Sequence, residues 1–313
     1  MTKILDQHIS DRFAAYHGDC IDVIRGIPED SIHYSIFSPP FASLYTYSAS
    51  PRDMGNCTSN DGFMEHLRFL VPELLRVTMP GRLLSFHCML MPASKTRDGY
   101  IGLRDFRGEL IRAFVECGWI FHSETSIWKD PVTAMQRTKA LGLLHKQIRK
   151  DSAMSRQGIN DFLVTMRKPG DNPERISHTA ETFPVEMWQR YASPVWAVAG
   201  DIDDDGFCRI HPDIIPGDTL QYRSAREDAD ERHICPLQLE IIRRAVLLWT
   251  NEGDTILSPF MGIGSEGHVA LSEGRRFVGA ELKESYYRQA VRNLIRVENP
   301  AQQSLFEGTA MIG

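Results

Sequence analysis

The sequence predicts an α/β protein: a doubly wound, mostly parallel sheet with helices on both faces. Three observations carry that prediction. Strand-like and helix-like segments alternate over residues 13–128, the alternation stops between about 131 and 232, and it resumes from 233 to about 298. The chain has 313 residues, 42% of them hydrophobic and 24% charged, so it can bury a sizeable core without crosslinks.

The elements follow in order. Phe13–His17 is a short apolar strand closed by Gly18-Asp19. Ile21–Ile27 reads as a short helix ended by Pro28, and His33–Phe37 as a strand broken by Pro39-Pro40. Phe63, Leu67, Leu70, Leu74 and Val77 recur at steps of three or four, which gives a helix over Phe63–Val77. Pro72 lies inside it and predicts a kink or a division into two shorter helices. Arg82–Cys88 is a strand, Leu103–Cys117 a helix and Trp119–Trp128 a strand. Pro169-Gly170, Pro194, the acidic run Asp201–Asp205 and Pro216-Gly217 then interrupt any rhythm, so 131–232 is expected to form a separate, irregular module. Beyond it, Pro236 suits the first turn of a helix that carries Leu239, Ile242, Val246 and Trp249 on one face. Asp254–Leu257 is a strand, Gly264–Leu271 a helix, Arg276–Leu282 a strand and Glu284–Val297 an amphipathic helix. The expected division is 1–130 and 233–298 as two halves of one domain, 131–232 between them, and 299–313 as a tail.

Several classes of function are excluded. The chain contains no run of 18 apolar residues, so no membrane span is expected. Residues 1–13 lack the apolar centre of a secretion signal. The six cysteines are scattered without a CxxC pair, which points to reduced thiols in the cytoplasm, and the eleven histidines form no HExxH pair, so no metal is expected. The formal charge of −6 argues against a generally basic nucleic-acid coat, but residues 131–170 hold eight basic residues against two acidic ones.

Two motifs carry chemistry. Ser258-Pro259-Phe260-Met261-Gly262-Ile263-Gly264 joins a strand to a helix. Its glycines admit a ligand close to the backbone, and the helix start offers free N–H groups. Glu281 closes the next strand, nineteen residues after Gly262, where a carboxylate accepts both hydroxyls of a ribose. Gly262, Gly264 and Gly267 also spell the dinucleotide pattern. Only one strand and one helix follow, however, too little to hold a second nucleotide. The other motif is Ser38-Pro39-Pro40-Phe41. Its prolines carry no N–H, fix the backbone and aim the carbonyls at the carboxyl end of a strand, which is where open α/β sheets keep their sites.

This pair of motifs, in this order, resembles the permuted β group of DNA amino-methyltransferases, and phage and prophage enzymes above all. In that group a [DNS]PP[YFW] turn comes first, a target-recognition region follows and the cofactor loop comes last. The resemblance spans most of 12–297. His17-Gly18-Asp19-Cys20 resembles the segment whose acid contacts the cofactor adenine, Val278–Glu281 the ribose-binding strand, His233–Pro236 the segment flanking the cofactor methionine, and Trp128-Lys129 the strand closing the target-base pocket. One position departs: Ser258 stands where the family usually has Asp.

The resemblance implies a Rossmann-like methyltransferase sheet with an inserted recognition region. It implies S-adenosyl-L-methionine held by Asp19, Cys20, Pro236, Ser258, Pro259, Phe260, Gly262, Gly264, Ser265, Glu281 and Lys283, and a catalytic turn of Ser38, Pro39, Pro40 and Phe41. An exocyclic amine is a poor nucleophile because its lone pair is delocalised into the ring. The Ser38 hydroxyl and the Pro39 carbonyl are the acceptors that would direct that lone pair, with Phe41 stacked on a base flipped out of the duplex. Carbon-5 methylation needs a Pro-Cys nucleophile, and the only adjacent pair here is the reversed Cys235-Pro236. Within the family a Ser-Pro-Pro-Phe turn leans towards N4 of cytosine, with N6 of adenine the alternative. An RNA or protein methyltransferase and an inactive DNA-binding homologue stand further off. Duplex DNA is the expected partner, contacted by Arg137, Lys139, Lys146, Arg149, Lys150 and Arg156. Gln302-Gln303-Ser304-Leu305-Phe306 resembles peptides that bind the bacterial sliding clamp, and a monomer or homodimer is expected.

Overall fold

The computed structural model describes residues 4–40, 60–128, 141–196, 198–202, 208–211, 218–221 and 237–299. In chain order these hold β1 (Ile4–Ile9), β2 (Phe13–Gly18), α1 (Cys20–Arg25), β3 (Ile32–Phe37), α2 (Asn60–Val77), β4 (Thr78–Met89), β5 (Met91–Ala93), α3 (Lys95–Asp98), β6 (Gly102–Arg104), α4 (Phe106–Glu116) and β7 (Ile120–Ile127). There follow α5 (His145–Lys150), β8 (Asp161–Arg167), α6 (Val185–Tyr191), β9 (Val195–Trp196), β10 (Val198–Ile202), β11 (Cys208–His211), α7 (Leu239–Trp249), β12 (Thr255–Ser258), α8 (Ser265–Ser272), β13 (Arg276–Glu281) and α9 (Glu284–Glu298). Among the described residues, nine strands form one sheet in the order β1-β2-β13-β12-β3-β4-β8-β7-β9.

The five strands from β2 to β4 run parallel to one another, whereas β8 runs against both β4 and β7. Parallel strands are covered on both faces, so they read as apolar runs rather than as alternations. One face packs Ile242, Val246, Val269, Ala290 and Leu294 of α7, α8 and α9 against Ala15, Tyr34, Ile36 and Ile256. The other packs Ile24, Leu67, Leu70, Leu74, Leu110 and Phe114 of α1, α2 and α4 against Phe37, Leu84, Phe86 and Leu257. The doubly wound fold expected from the rhythm is the fold observed. Among the described residues no helix is long and apolar enough to cross a membrane.

The structure corrects the sequence reading at four places. Part of the segment 131–232 belongs to the main sheet, because β8 is inserted between β4 and β7 with Leu163, Val164 and Met166 fully buried, and Trp196 joins the core beside α7. Of the two outcomes expected at Pro72, the division into two helices is the one not seen: α2 runs unbroken from Asn60 to Val77. An interior proline costs about 3 kcal/mol, and the full burial of Leu67, Leu70, Val71 and Leu74 outweighs that. The helix expected from Leu103 begins at Phe106, because Asp105 caps it by accepting Gly108 N–H at 2.9 Å while Gly102–Arg104 pairs with β5. Finally, β1 adds an antiparallel edge strand that the sequence pattern does not announce, since most of its residues are exposed.

Candidate active site

Because β2, β13, β12 and β3 are parallel neighbours, their carboxyl ends line up along one edge of the sheet. Asp19, Glu281, Ser258 and Ser38 therefore follow one another there, although they are scattered through the sequence. The two motifs become adjacent through β12 and β3, where Leu257 pairs with Ser35. The ring of Phe37, just before the proline turn, lies 5.8 Å from that of Phe260 in the glycine loop.

The glycine loop forms a cradle. Gly262 and Gly264 have φ of +51° and +87°, a left-handed backbone that favours glycine. A Cβ on Gly262 would meet no atom within 4 Å, so this glycine faces open space. Gly267 serves packing instead, since a Cβ there would lie 2.6 Å from Phe277. Glu281 is held by two backbone donors: Gly262 N–H to Oε2 at 2.9 Å and Lys283 N–H to Oε1 at 2.8 Å. Asn293, buried on α9, donates to the Ile263 carbonyl at 2.8 Å and pins the loop from behind. Sequence reasoning missed Asn293 because an amide in an amphipathic helix normally faces solvent.

The hydroxyls of Ser258 and Ser265 are buried here and make no hydrogen bond among the described residues. Buried polar groups are almost always paired. Two unpaired hydroxyls beside a ribose-type carboxylate and an open glycine therefore fit a polar, ribose-containing ligand. Glu266 is 5% exposed, and burial together with the charge of Glu281 pushes its pKa up to about 8, so it is neutral at pH 7.

The remaining expected cofactor residues divide. Asp19 Oδ1 accepts Ile21 N–H at 2.9 Å and Asp22 N–H at 3.3 Å, so this carboxylate caps α1. Burial and the charges of Asp19 and Glu281 push the Cys20 thiol up, which places all three in one neighbourhood. Lys283 gives Glu281 its backbone N–H, while its ammonium lies 4.6 Å above the Tyr286 ring. Pro259 is buried and Phe260 half-buried. Phe41, Lys129, Pro236, Arg137, Lys139 and Gln302–Phe306 lie outside the described residues.

At the proline turn, Ser38 Oγ is 3.1 Å from His87 Nδ1, and His87 Nε2 is 2.8 Å from Asp161 Oδ2. The sheet register builds this row. Phe37 pairs with Phe86, which sets Ser38 beside His87, and Met89 pairs with Asp161, which sets Asp161 diagonal to His87 on the same face. A carboxylate only accepts hydrogen bonds, so His87 presents an Nε2–H to Asp161; in the neutral ring that tautomer leaves Nδ1 as an acceptor for the Ser38 O–H. Neither His87 nor Asp161 was expected at the site. The first sits in the apolar run of β4 and the second reads as one acid in a basic window. A polar residue at the site end of each buried strand is the signal that was available.

The basic segment also belongs to this edge. Ile127, at the end of β7, pairs with Asp161, at the start of β8, so residues 128–160 leave and re-enter the sheet beside the proline turn. Lys146, Arg149 and Lys150 are exposed on one face of α5. Arg156 is half-buried, with its guanidinium on the Gln157 carbonyl at 3.0 Å. Two other cations of the window go elsewhere: Lys168 pairs with Asp30 at 2.6 Å, and Arg167 donates to the Gly170 carbonyl, both at the opposite edge. There, His33, Glu174 and Asp254 gather within metal-ligand reach of one another. His33 Nδ1 accepts Thr255 N–H at 3.1 Å, so Nε2 holds a proton and donates to Glu174, while Arg82 pairs with Asp254 at 3.0 Å. This group is an ion-pair network.

The profile of a DNA methylase family matches residues 32–292. The chain is 39% identical over 282 residues to the orphan methyltransferase M.BamHII of Bacillus amyloliquefaciens, a match that covers 84% of this chain and 88% of that protein. Among solved structures, TTHA0409 of Thermus thermophilus, complexed with S-adenosyl-L-methionine, matches with a TM-score of 0.62 and 20% identity over 92% of this chain and 96% of that one. PvuII DNA methyltransferase, cytosine-N4-specific, matches with a TM-score of 0.61 and 14% identity over 95% of this chain and 97% of that one. The structural matches support the Rossmann-like methyltransferase fold.

Proposed function

The chain belongs to the DNA methylase family of S-adenosyl-L-methionine-dependent N6/N4 amino-methyltransferases, and from that premise we propose that it methylates the N4 amine of cytosine in duplex DNA. The observation that carries the choice of cytosine is the serine at the head of the proline turn, whose Oγ lies 3.1 Å from His87 Nδ1. The N4 specificity of the PvuII enzyme, which shares the fold, agrees with it.

The chain's own residues do most of the work by positioning. Bound S-adenosyl-L-methionine supplies an electrophilic methyl group. Glu281, oriented by its two backbone donors, would accept the ribose hydroxyls, and the Ser258 and Ser265 hydroxyls would meet polar atoms of the same ligand. The open face of Gly262 lets that ligand lie against the backbone. Ser38 Oγ and the Pro39 carbonyl accept the two amine N–H bonds of the flipped base and direct its nitrogen lone pair, while Phe41 stacks on the ring. Lys146, Arg149, Lys150 and Arg156 contact phosphates.

The test is direct. Protein incubated with labelled S-adenosyl-L-methionine and duplex DNA is followed by digestion and identification of the labelled nucleoside. N4-methyldeoxycytidine is the expected product. Labelled N6-methyldeoxyadenosine would overturn the choice of base, and label in RNA or protein but not DNA would overturn the substrate class.

A further inference from the structure

We propose that His87 and Asp161 form a proton relay behind Ser38, which first locks that hydroxyl as an acceptor and then carries away the proton the amine must lose. The proposal rests on the reading of Ser38 as the group that meets the target amine. Three facts carry it: the Ser38 to His87 separation of 3.1 Å, the His87 to Asp161 separation of 2.8 Å, and the burial of both partners at 8% and 2% exposed.

The geometry has an electrostatic logic. A serine hydroxyl rotates and can donate or accept. If it donated to the amine nitrogen it would occupy the lone pair that must attack. The Asp161 carboxylate holds the Nε2–H tautomer, so His87 Nδ1 takes the Ser38 hydrogen and leaves the oxygen's lone pairs for the amine N–H. The catalytic contact remains Ser38; His87 and Asp161 act through it.

The same row supplies an exit for charge. Once the amine nitrogen carries the methyl group it bears a positive charge and two N–H bonds. One N–H bond then breaks and its electron pair returns to the nitrogen. The proton passes to Ser38 Oγ as the Ser38 O–H proton passes to His87 Nδ1. His87 becomes an imidazolium beside the Asp161 carboxylate, and it returns to neutral by releasing one proton to solvent. No oxidant, reductant or further reactant is needed.

Two measurements test the relay. In protein labelled with nitrogen-15 at histidine, with the His87 signals assigned by their loss in His87→Gln, the wild type is expected to show Nε2 protonated and Nδ1 unprotonated. In Asp161→Asn the proton is expected on Nδ1, since the new amide donates to Nε2. A wild-type spectrum with the proton on Nδ1 overturns the relay. The second measurement is single-turnover methyl transfer to duplex DNA. Asp161→Asn is expected to slow it by about 10²-fold or more, within the span of proton-transfer catalysis, with the affinities for S-adenosyl-L-methionine and DNA held within about twofold. Wild-type protein that leaves DNA unlabelled overturns the functional reading beneath the proposal. Wild-type protein that labels DNA, with Asp161→Asn labelling it equally fast, overturns the relay alone.

Discussion

The two edges of the central sheet treat polar groups in opposite ways. At the edge where β12 and β3 begin, Arg82 pairs with Asp254, His33 bridges Thr255 N–H and Glu174, Asn251 donates to the Arg175 carbonyl and accepts Ser177 N–H, and Lys168 reaches Asp30. The segment after β8 is thereby strapped across the strand ends. At the edge where the same strands finish, the Ser258 and Ser265 hydroxyls are buried without partners among the described residues, Gly262 faces open space, and Ser38 lies beside His87. One end of the sheet ties most of its charged side chains into ion pairs, and the other leaves hydroxyls and an open glycine where the proposed ligand would lie. Substitutions of similar severity should therefore lower stability at one edge and activity at the other.

The largest effect is expected at the strapped edge. Asp254→Ala leaves the fully buried Arg82 guanidinium without its closest carboxylate, which costs about 3–5 kcal/mol. Urea unfolding should record that loss while the methylation rate per folded molecule stays at the wild-type value. A fall in that rate would break the contrast between the edges.

Glu266 sharpens the contrast through pH. Its carboxyl ionises near 4.5 in the unfolded chain and near 8 in the folded one, so folding takes up a proton between those values. The stability it contributes is fully present below about pH 4.5 and is lost as pH rises to about 8. Urea unfolding at pH 5, 7 and 8.5 should show the wild type losing ground to Glu266→Gln by about 4 kcal/mol across that window. A constant gap between the two proteins would show that burial does not hold the proton.

Ser38→Ala removes one acceptor from the open edge. Methyl transfer should fall by about 10²-fold or more, with S-adenosyl-L-methionine binding by calorimetry and the unfolding midpoint both unchanged. A shifted midpoint would mean that Ser38 serves the fold as well. The smallest effect is expected furthest from the sheet. Replacing Lys146, Arg149 and Lys150 together by Ala should reduce the salt dependence of DNA affinity by about two to three phosphate contacts and leave the rate at saturating DNA unchanged.

The α/β rhythm and the glycine loop were legible because both are local. An apolar run bounded by turns is a strand wherever it sits, and Gly262, Gly264 and Glu281 are tied by a fixed spacing along one βαβ unit. What escaped depends on lateral order in the sheet, which sequence order does not encode. The strand Asp161–Arg167 reads as part of an insertion until its pairing with β4 is seen, and His87 finds its partner 74 residues away. Asp19 shows the converse. A motif assigned its carboxylate to a ligand, and the structure also gives it the two N–H groups at the start of α1. The net charge of −6 behaves likewise: of the cations between 131 and 170, Lys168 and Arg167 tie down the far edge, while Lys146, Arg149 and Lys150 stay exposed on the near one.

The pairing of Ile127 with Asp161 bears on how such a protein diversifies. The segment between them starts and ends on one rung of the ladder, so its closure is set by the sheet and its length changes the closure entropy only slowly. New insertions can be tried there while the strands on either side keep their register. One constraint travels with that freedom: the re-entry residue is Asp161, so any exchanged segment must hand the chain back at a carboxylate already committed to His87.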